Sequence, residues 1–440
     1  MDLDRRTFLG WVAGAAALVA LEGPAAAKRA KRTATERATR GGREGLDRPA
    51  ELIGGRVELP AWPHGDASTA PDAMLMFRGN PAHTQYGVGR GPRKMPKVAW
   101  KHRMRDFPSL YYGKPFVWRG TGWTGQCMVY AGHVWVGSQG RGLYCFEADT
   151  GEVKWRFDAP RQFKGSGCLW NNRIYIGNVD NHLRCLDARD GRVVWRLDTG
   201  ADLDSSPVVA GGRLFIGGEN GYLRCLEPEG GEVLWKTFVG GRAKGPTPGS
   251  YGCETSPAVV GDEVYCATYD GRLWSVSATD GSRRWMAKTG DDTDASPVVA
   301  GPRVFIAAED RHPYIMAFAR KDGAPLWRHR GDGGYWGTPA VSRGKVYACS
   351  ARGDLDCLDA ETGSVLWART VKGGSWSSPA LLGGVLVVGD MKGWLRGFDA
   401  KDGTPLWQIE LGGRIHSTPV LHGRRIYVGT TDGWFFALNA

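Results

Sequence analysis

The sequence lacks several features that mark common classes of protein. No two of its nine cysteines are adjacent, and none lies in a Cys-x-x-Cys-His or zinc-type spacing, which argues against c-type haem attachment and structural zinc. No nucleic-acid-binding motif is present, and the net charge of +11 alone is weak ground for expecting nucleic acid as a partner. Beyond the N-terminus no apolar run approaches the roughly 20 residues that span a bilayer. We therefore expect no transmembrane segment in the mature protein.

The first 27 residues have the pattern of an export signal. Asp4-Arg5-Arg6-Thr7-Phe8-Leu9 is similar to a twin-arginine motif, and an apolar run of about 14 residues leads to Leu21 and a small-residue site, Ala25-Ala26-Ala27. No cysteine precedes Cys127, so a lipid anchor is not expected. We predict that residues 1–27 form a twin-arginine signal peptide and that the protein is periplasmic or secreted.

Residues 28–72 are rich in Lys, Arg, Ala, Thr, Gly and Pro and contain few aromatic or β-branched residues. Between Lys28 and Arg48 there are eight basic and three acidic residues, a local net charge of +5. Such a composition offers little apolar surface to offset the entropy of ordering. We predict a disordered basic linker over 28–72.

From residue 73 onward the chain repeats itself. The segment DARDGRVVW ends at Trp195, and similar segments end at tryptophans spaced 40, 40, 50, 42, 40 and 40 residues apart from Trp155 to Trp407. Each period contains a Ser/Thr-Pro run, two further apolar strand segments, a turn carrying Gly and the strand that carries the tryptophan. This pattern predicts four short strands per repeat. Four-stranded repeats around a channel form a β-propeller.

The two ends of the repeat region predict how the ring closes. Trp100 has no three strands before it, and the last repeat stops at Ala440 without its own tryptophan strand. Eight complete blades result only if the strand around Trp100 pairs with the C-terminal strands, which also removes an exposed edge. We predict an all-β, eight-bladed propeller over residues 73–440.

The Asp-Ala-x-x-Gly-x-x-x-Trp segments resemble the tryptophan-docking motif of the pyrroloquinoline-quinone (PQQ) repeat family. FRGNPAHTQYG, residues 77–87, is similar to the lead-in that often precedes the first blade in that family. The family includes quinoprotein alcohol dehydrogenases and the non-catalytic propeller subunit of the outer-membrane β-barrel assembly machinery. The resemblance implies that eight tryptophans dock between neighbouring blades: Trp100, Trp155, Trp195, Trp235, Trp285, Trp327, Trp367 and Trp407.

The cysteines predict packing positions. Four of them share one strand position that is Ser, Ala or Gly in the other blades, namely Cys145, Cys185, Cys225 and Cys357. A position that accepts only small residues indicates packing against a large neighbour. A disulfide between Cys127 and Cys168 is compatible with an oxidising compartment.

Loop lengths predict which face carries a site. Insertions at 103–126, at 239–253 and at Glu309–Tyr314 all belong to connections that open on one face of a propeller. On that face, alignment of the inner strands on their Ser/Thr-Pro pairs gives a ring of residues three positions before the proline position, which is Cys127 in the first blade and Gly167 in the second. Its members are Thr124, Lys164, Asp204, Glu254, Asp294, Trp336, Trp376 and His416.

This ring is the candidate ligand site, with Asp204, Glu254 and Asp294 as candidate metal ligands. Carboxylates suit Ca²⁺, and indole rings suit a flat or sugar-like ligand. The alternative is that the carboxylates accept hydrogen bonds from nearby backbone amides at the strand starts.

The resemblance also implies a test for an enzyme. In the dehydrogenases PQQ lies at this mouth between a tryptophan and a disulfide of adjacent cysteines, with a calcium ion and an Asp that acts as base. In this sequence Trp336 or Trp376 matches the tryptophan, and no two cysteines are adjacent. We expect no catalytic residues and no cofactor, and a monomeric binding or assembly scaffold of the cell envelope whose loops 103–126 and 239–253 hold a protein partner. A PQQ- and calcium-dependent oxidoreductase is the alternative. A second alternative is a carbohydrate-binding module that stacks sugars on Trp336, Trp376, Tyr111 and Tyr112.

Overall fold

The computed structural model describes residues 39–40, 47–62, 70, 72–111, 114–122, 125–240, 252–309 and 311–440, with only the backbone described at 39–40 and 111. The predicted signal peptide lies outside the described residues. Within these ranges the chain is all β and contains no helix that could cross a membrane.

Eight blades surround a central channel, and in blades 1 to 7 the four strands follow each other in chain order from the channel outwards. Six strands precede the first blade: β1 (Thr39–Arg40), β2 (Glu51–Leu52), β3 (Gly87–Gly89), β4 (Lys97–Arg103), β5 (Phe107–Tyr111) and β6 (Lys114–Trp118). Blade 1 contains β7 (Met128–Tyr130), β8 (His133–Gly137), β9 (Gly142–Glu147) and β10 (Val153–Asp158). Blade 2 contains β11 (Cys168–Trp170), β12 (Arg173–Gly177), β13 (His182–Asp187) and β14 (Val193–Asp198).

The next three blades keep the same order. Blade 3 contains β15 (Val208–Ala210), β16 (Arg213–Ile216), β17 (Tyr222–Leu226) and β18 (Val233–Phe238). Blade 4 contains β19 (Ala258–Val260), β20 (Glu263–Thr268), β21 (Arg272–Ser277) and β22 (Arg283–Lys288). Blade 5 contains β23 (Val298–Ala300), β24 (Arg303–Ala307), β25 (Tyr314–Ala319) and β26 (Pro325–Arg330).

The last blades complete the ring. Blade 6 contains β27 (Ala340–Ser342), β28 (Lys345–Cys349), β29 (Asp354–Asp359) and β30 (Val365–Thr370). Blade 7 contains β31 (Ala380–Leu382), β32 (Val385–Gly389), β33 (Trp394–Asp399) and β34 (Pro405–Glu410). Blade 8 contains β35 (Val420–Gly423), β36 (Arg425–Gly429) and β37 (Trp434–Asn439).

Strand β4 supplies the outer strand of blade 8, as predicted. It pairs antiparallel with β37, with Trp100 opposite Ala437 and Lys101 opposite Phe436. The N-terminal and C-terminal parts of the ring therefore share one sheet, and the count of eight blades is confirmed.

All eight periodic tryptophans dock as predicted, and the structure shows why the repeat needs its glycine. Each indole N–H donates to a backbone carbonyl beyond its own blade; Trp195, for example, reaches Pro228 at 2.9 Å. The ring of Trp155 lies on the turn of blade 2, where a Cβ at Gly191 would come within 2.6 Å of it. Gly191 also has φ of 71°, a left-handed conformation that glycine adopts without strain.

The small-residue position is explained by the same tryptophans. Cys145, Cys185, Cys225 and Cys357 each pair directly across the sheet from the tryptophan of their own blade. Blade 7 has Gly397 there, and a Cβ would lie 2.2 Å from Trp407. The disulfide that the sequence leaves open between Cys127 and Cys168 is not formed: both thiols are free, and each is buried in a different core cluster.

A ladder of hydroxyl groups fixes the inner strands relative to each other. The hydroxyl of a Ser/Thr-Pro pair accepts a hydrogen bond from the backbone N–H at the equivalent position of the preceding blade. Ser166 N–H donates to Ser206 Oγ at 2.9 Å, and Ser206 N–H donates to Ser256 Oγ at 3.1 Å. The same contact recurs at Ser256, Ser296 and Thr338. This explains the Ser/Thr-Pro pairs of the sequence, since each hydroxyl links two blades.

The lead-in segment, residues 73–86, crosses the channel and closes it on one side. Its backbone bonds inner-strand residues of blades 1, 2, 4 and 5. Arg78 donates to the carbonyls of Pro379 at 2.7 Å and Pro339 at 2.8 Å, in blades 7 and 6. His83 Nδ1 lies 2.7 Å from the carbonyl of Pro297 in blade 5. We call this segment the plug.

The predicted disordered linker is wrong for residues 47–62. Strand β2 pairs antiparallel with β10, and Asp47 bonds the fully buried guanidinium of Arg184 at 2.7 Å. Val57 is buried and its N–H donates to the carbonyl of Arg189. Composition misled here because the segment is held by backbone pairing and by ion pairs with rim arginines, and apolar content measures neither.

Candidate ligand site at the channel mouth

The predicted ring lies at the open end of the channel, opposite the plug. Asp294 precedes Pro297 and Val299, the plug contacts of blade 5, by three and five residues along the inner strand. The ring therefore lies before the plug contacts on the inner segments, where the loops between the second and third strands meet them.

A second ring of residues surrounds the first. In blades 2 to 8 each residue of the second ring follows a member of the first ring by 15 positions and lies in the loop between the second and third strands. Its backbone N–H donates to the carbonyl of the residue two positions before that first-ring member. Glu219 N–H, for example, donates to the carbonyl of Asp202 at 3.1 Å, and Glu309 N–H to that of Asp292 at 3.2 Å. This contact places Glu219 beside Asp204 and Glu309 beside Asp294.

The two rings together form two carboxylate clusters. Cluster 1 consists of Asp204, Glu219 and Glu254, and cluster 2 consists of Asp292, Asp294 and Glu309. Within each, one ligand atom of each residue lies within 4.8 Å of those of the others. The three predicted metal ligands are thus divided, since Asp204 and Glu254 belong to cluster 1 and Asp294 to cluster 2.

Sequence reasoning missed Glu219, Glu309 and Asp292. A signal was present: Asp-x-Asp followed by Glu after 15 residues occurs at 202–204 with 219 and again at 292–294 with 309. Its meaning depends on a loop-to-strand contact, which spacing alone does not reveal.

The carboxylates of the clusters are buried with few donors. Both oxygens of Glu254, which is 8% exposed, and one oxygen each of Asp204 and Asp294 have no hydrogen-bond donor in the part of the chain that the structure describes. The alternative that backbone amides bind Glu254 therefore finds no support in the described residues. The other oxygen of Asp204 contacts Lys164 Nζ, and Tyr269 donates its hydroxyl to Glu219 Oε1 at 3.0 Å.

The burial and closeness of these carboxylates raise the pKa values of several of them. Burial raises the pKa of Glu219 to about 8, and burial raises the pKa of Asp294 to about 7. Burial and the neighbouring Asp204 charge raise the pKa of Asp202 to about 7, and burial with the Glu219 charge raises the pKa of Glu254 well above its usual range. Near neutral pH the mouth must keep protons or bind a cation.

The opposite side of the ring is aromatic and uncharged. The rings of Trp336 and Trp376 stack with centroids 4.9 Å apart, and Trp376 lies 5.0 Å from the ring of His416. Burial lowers the pKa of His416 to about 3, so the imidazole is neutral at physiological pH. Because the two indoles cover each other, they are not a pair of open stacking platforms.

Part of the predicted partner surface is described. Strands β5 and β6 pair antiparallel on the mouth face, where Met104 N–H donates to the carbonyl of Gly433 and Gln139 N–H to that of Gly120. Leu110 of β5 is 68% exposed. Thr124, Tyr112, the side chain of Tyr111 and most of loop 239–253 lie outside the described residues.

The repeat geometry agrees with a family model described as "Outer membrane protein assembly factor BamB", which matches residues 97–204, 179–312 and 311–440. The chain belongs to the PQQ-like β-propeller repeat family. A curated relative, the outer membrane protein assembly factor BamB of Burkholderia pseudomallei (strain K96243), is 29% identical over 108 residues, which is 24% of this chain. The chain spans 28% of the length of that relative.

Two solved structures share the fold at low identity. A quinohemoprotein alcohol dehydrogenase from Pseudomonas putida HK5 superposes with a TM-score of 0.69 at 14% identity, over 84% of this chain and 80% of the enzyme. A europium-containing methanol dehydrogenase gives a TM-score of 0.69 at 14% identity, over 86% of this chain and 100% of that one. At this identity the likeness concerns the fold alone.

The carboxylates of the two clusters are oxygen ligands of the kind that Ca²⁺ prefers. The cysteine disulfide that the resemblance implies for a quinone site has no counterpart, because all nine cysteines are free, and Trp336 stacks on Trp376.

Proposed function

We propose that this protein is an exported, non-catalytic propeller that acts as a binding or assembly scaffold in the cell envelope. The strand pair β5–β6 carries the proposal, because it exposes Leu110 to 68% and Val117 to 37%. Exposed apolar side chains grouped on a loop favour a protein partner. The family model's description, an outer-membrane protein assembly factor, supports the same role.

Site-directed photo-crosslinking in the exporting cell tests the partner. A photoreactive residue at Leu110 should capture an envelope protein, whereas the same residue at Glu361, whose side chain is 79% exposed in a turn far from the mouth, should not. Replacement of Leu110 and Val117 by Ser should abolish the crosslink without lowering the unfolding temperature. Equal capture from both positions would refute the strand pair β5–β6 as the partner site.

We further propose that the mouth binds a divalent cation of the Ca²⁺ type through cluster 1, with Asp294 of cluster 2 as a neighbouring ligand. Lys164 contacts Asp204 directly, and the other carboxylates of the two clusters outnumber this single cation among the described residues. Calorimetric titration of the chelator-treated protein with Ca²⁺ should show saturable binding that is lost in Glu254→Gln and Glu219→Gln and kept in Glu361→Gln. Binding unchanged by the first two substitutions would refute the site.

A PQQ- and calcium-dependent oxidoreductase is the second candidate, and the carboxylates facing Trp336 across the mouth favour it. When bound, the quinone would supply hydride-accepting chemistry, and Asp204, Glu254 or Asp294 would hold the calcium ion or a proton. Titration with PQQ and Ca²⁺, followed by the absorbance of the quinone, tests it. Failure to retain quinone after gel filtration would leave the scaffold as the better account. A carbohydrate site is less well supported, since the indoles of Trp336 and Trp376 cover each other.

A further inference from the structure

The protein's own N-terminal segment shows how the outer edges of the blades can be used. Strand β2 adds to the edge of β10 in blade 1, and β1 adds to the edge of β14 in blade 2, both antiparallel. Beneath these strands Trp155 is 0% exposed and Trp195 is 1% exposed. Two outer edges are therefore covered by an extended strand.

Acidic residues of this segment pair with the basic rim. Glu51 lies opposite Arg156, the residue after the docking tryptophan, and its carboxylate is 3.0 Å from the guanidinium. Leu52 lies opposite Trp155 itself. In blade 2, Asp47 contacts Arg196, which again follows the docking tryptophan, at 3.3 Å. The covering segment thus places acidic groups against a Trp-Arg pair.

The edge of blade 5 has the same Trp-Arg pair, and none of the described strands covers it. Strand β26, PLWRHR, is the last strand of its sheet, and in the described residues it pairs only with β25. Leu326 is 46% exposed, and Trp327 is only partly buried. Arg328 lies over the ring of Tyr314 and has no carboxylate within ion-pair distance among the described residues. Its neighbour Arg330 adds a second exposed cation.

We propose that β26 is a docking edge for an extended, acidic segment of a partner protein. The segment adds antiparallel to β26, places a carboxylate opposite Arg328 and an apolar side chain opposite Trp327, and so repeats the pairing of Glu51 and Leu52 on blade 1. Backbone hydrogen bonds to the open edge give affinity, and the charge pair fixes the register. This surface is on the outer rim, separate from the channel mouth, and does not depend on the proposed mouth site.

A labelled peptide with the sequence of residues 46–54, LDRPAELIG, is the probe, with photo-leucine at the position of Leu52. Binding to the full exported chain is followed by fluorescence polarisation, and crosslinked residues are located by mass spectrometry. We expect crosslinks to residues 325–330. Arg328→Glu should weaken binding about tenfold or more, because a charge pair becomes a repulsion. The same peptide with Lys in place of its Glu should bind Arg328→Glu more tightly than it binds the unaltered chain.

Lys288→Glu is the matched control, since Lys288 is an exposed cation on the outer strand of blade 4, which lacks the Trp-Arg pair. It should leave the peptide affinity unchanged. The proposal is overturned if the peptide does not bind, if Arg328→Glu binds it as well as the unaltered chain, or if crosslinks fall on β10 or β14, which would indicate exchange with the chain's own segment. Crosslinks between two copies of the protein that Arg328→Glu removes would assign the edge to self-association instead.

Discussion

At the residue scale, the sequence repeat allowed us to predict the role of side chains that recur in every blade. It did not allow us to predict the role of side chains that a loop contact brings to the mouth. The docking tryptophans and the small residues opposite them recur with the period, so Trp195 and Cys185 could be assigned before the fold was known. Asp204 and Glu254 could be predicted as members of the ring because each precedes a recurring proline by three residues. Glu219 and Glu309 have no such marker, because it is a backbone contact that brings them to the mouth.

The raised pKa values of the mouth carboxylates predict how stability depends on pH. Burial raises the folded pKa of Glu219 from 4.5 to about 8 and that of Asp294 from 3.8 to about 7, so these two carboxyls hold more protons in the folded chain than in the unfolded chain between those values. Their contribution to stability is therefore present at low pH and is lost as pH rises through 7 to 8. His83, with a folded pKa of about 3, acts in the opposite direction, but only below its unfolded value near 6.5.

We therefore expect the unfolding temperature of the chelator-treated protein to fall between pH 6.5 and 8.5. In this range His83 no longer contributes to the pH dependence of stability. Scanning calorimetry measures this slope. Glu219→Gln should reduce it, Glu361→Gln should not, and Ca²⁺ should flatten it in the unaltered chain because a bound cation replaces the protons. A slope that is the same in Glu219→Gln would assign the pH dependence to other groups.

At the element scale, two segments before the blades behave differently from what composition suggests. The plug has few regular strands but is buried, because Arg78 and His83 satisfy carbonyls of the inner strands. Residues 47–62 look like a linker yet follow the rim, because Asp47 and Glu51 form ion pairs with Arg184 and Arg156 there. In both cases the partners lie far away in the sequence, so local patterns could not predict the contacts.

The plug gives a prediction about Arg78. Its guanidinium is 1% exposed overall, and Arg78→Met would keep most of its volume while leaving the carbonyls of Pro379 and Pro339 without that donor. Hydrogen bonds from a charged group contribute about 1.5–3 kcal/mol each, and relief of a buried charge offsets part of the loss. We expect a loss of about 2–4 kcal/mol in urea denaturation. Arg93→Met, at an exposed ion pair with Asp399, should cost under about 1 kcal/mol. Similar losses in the two variants would mean that the plug does not depend on Arg78.

At the scale of the whole molecule, the eightfold count followed from the two chain ends. The missing outer strand of the last repeat and the isolated Trp100 strand are complementary, and the structure pairs them as β37 and β4. What the sequence could not indicate is that the ring is also closed across its channel by the plug, which contacts inner strands of non-adjacent blades. The propeller is thus held both around its rim and through its centre.

The closing sheet predicts where a cross-link stabilises most. Lys97 and Asn439 lie opposite each other at the exposed end of β4 and β37, so Lys97→Cys with Asn439→Cys would close almost the entire ring. Arg396→Cys with Gln408→Cys, also opposite each other, would close only a hairpin of blade 7. By chain entropy the long closure is worth about 6 kcal/mol and the short one about 3 kcal/mol. The unfolding temperature should therefore rise more for the ring-closing pair, and thiol reductant should remove the gain. If the hairpin pair stabilises as much as the ring pair, separation of β4 from β37 is not the step by which the propeller opens.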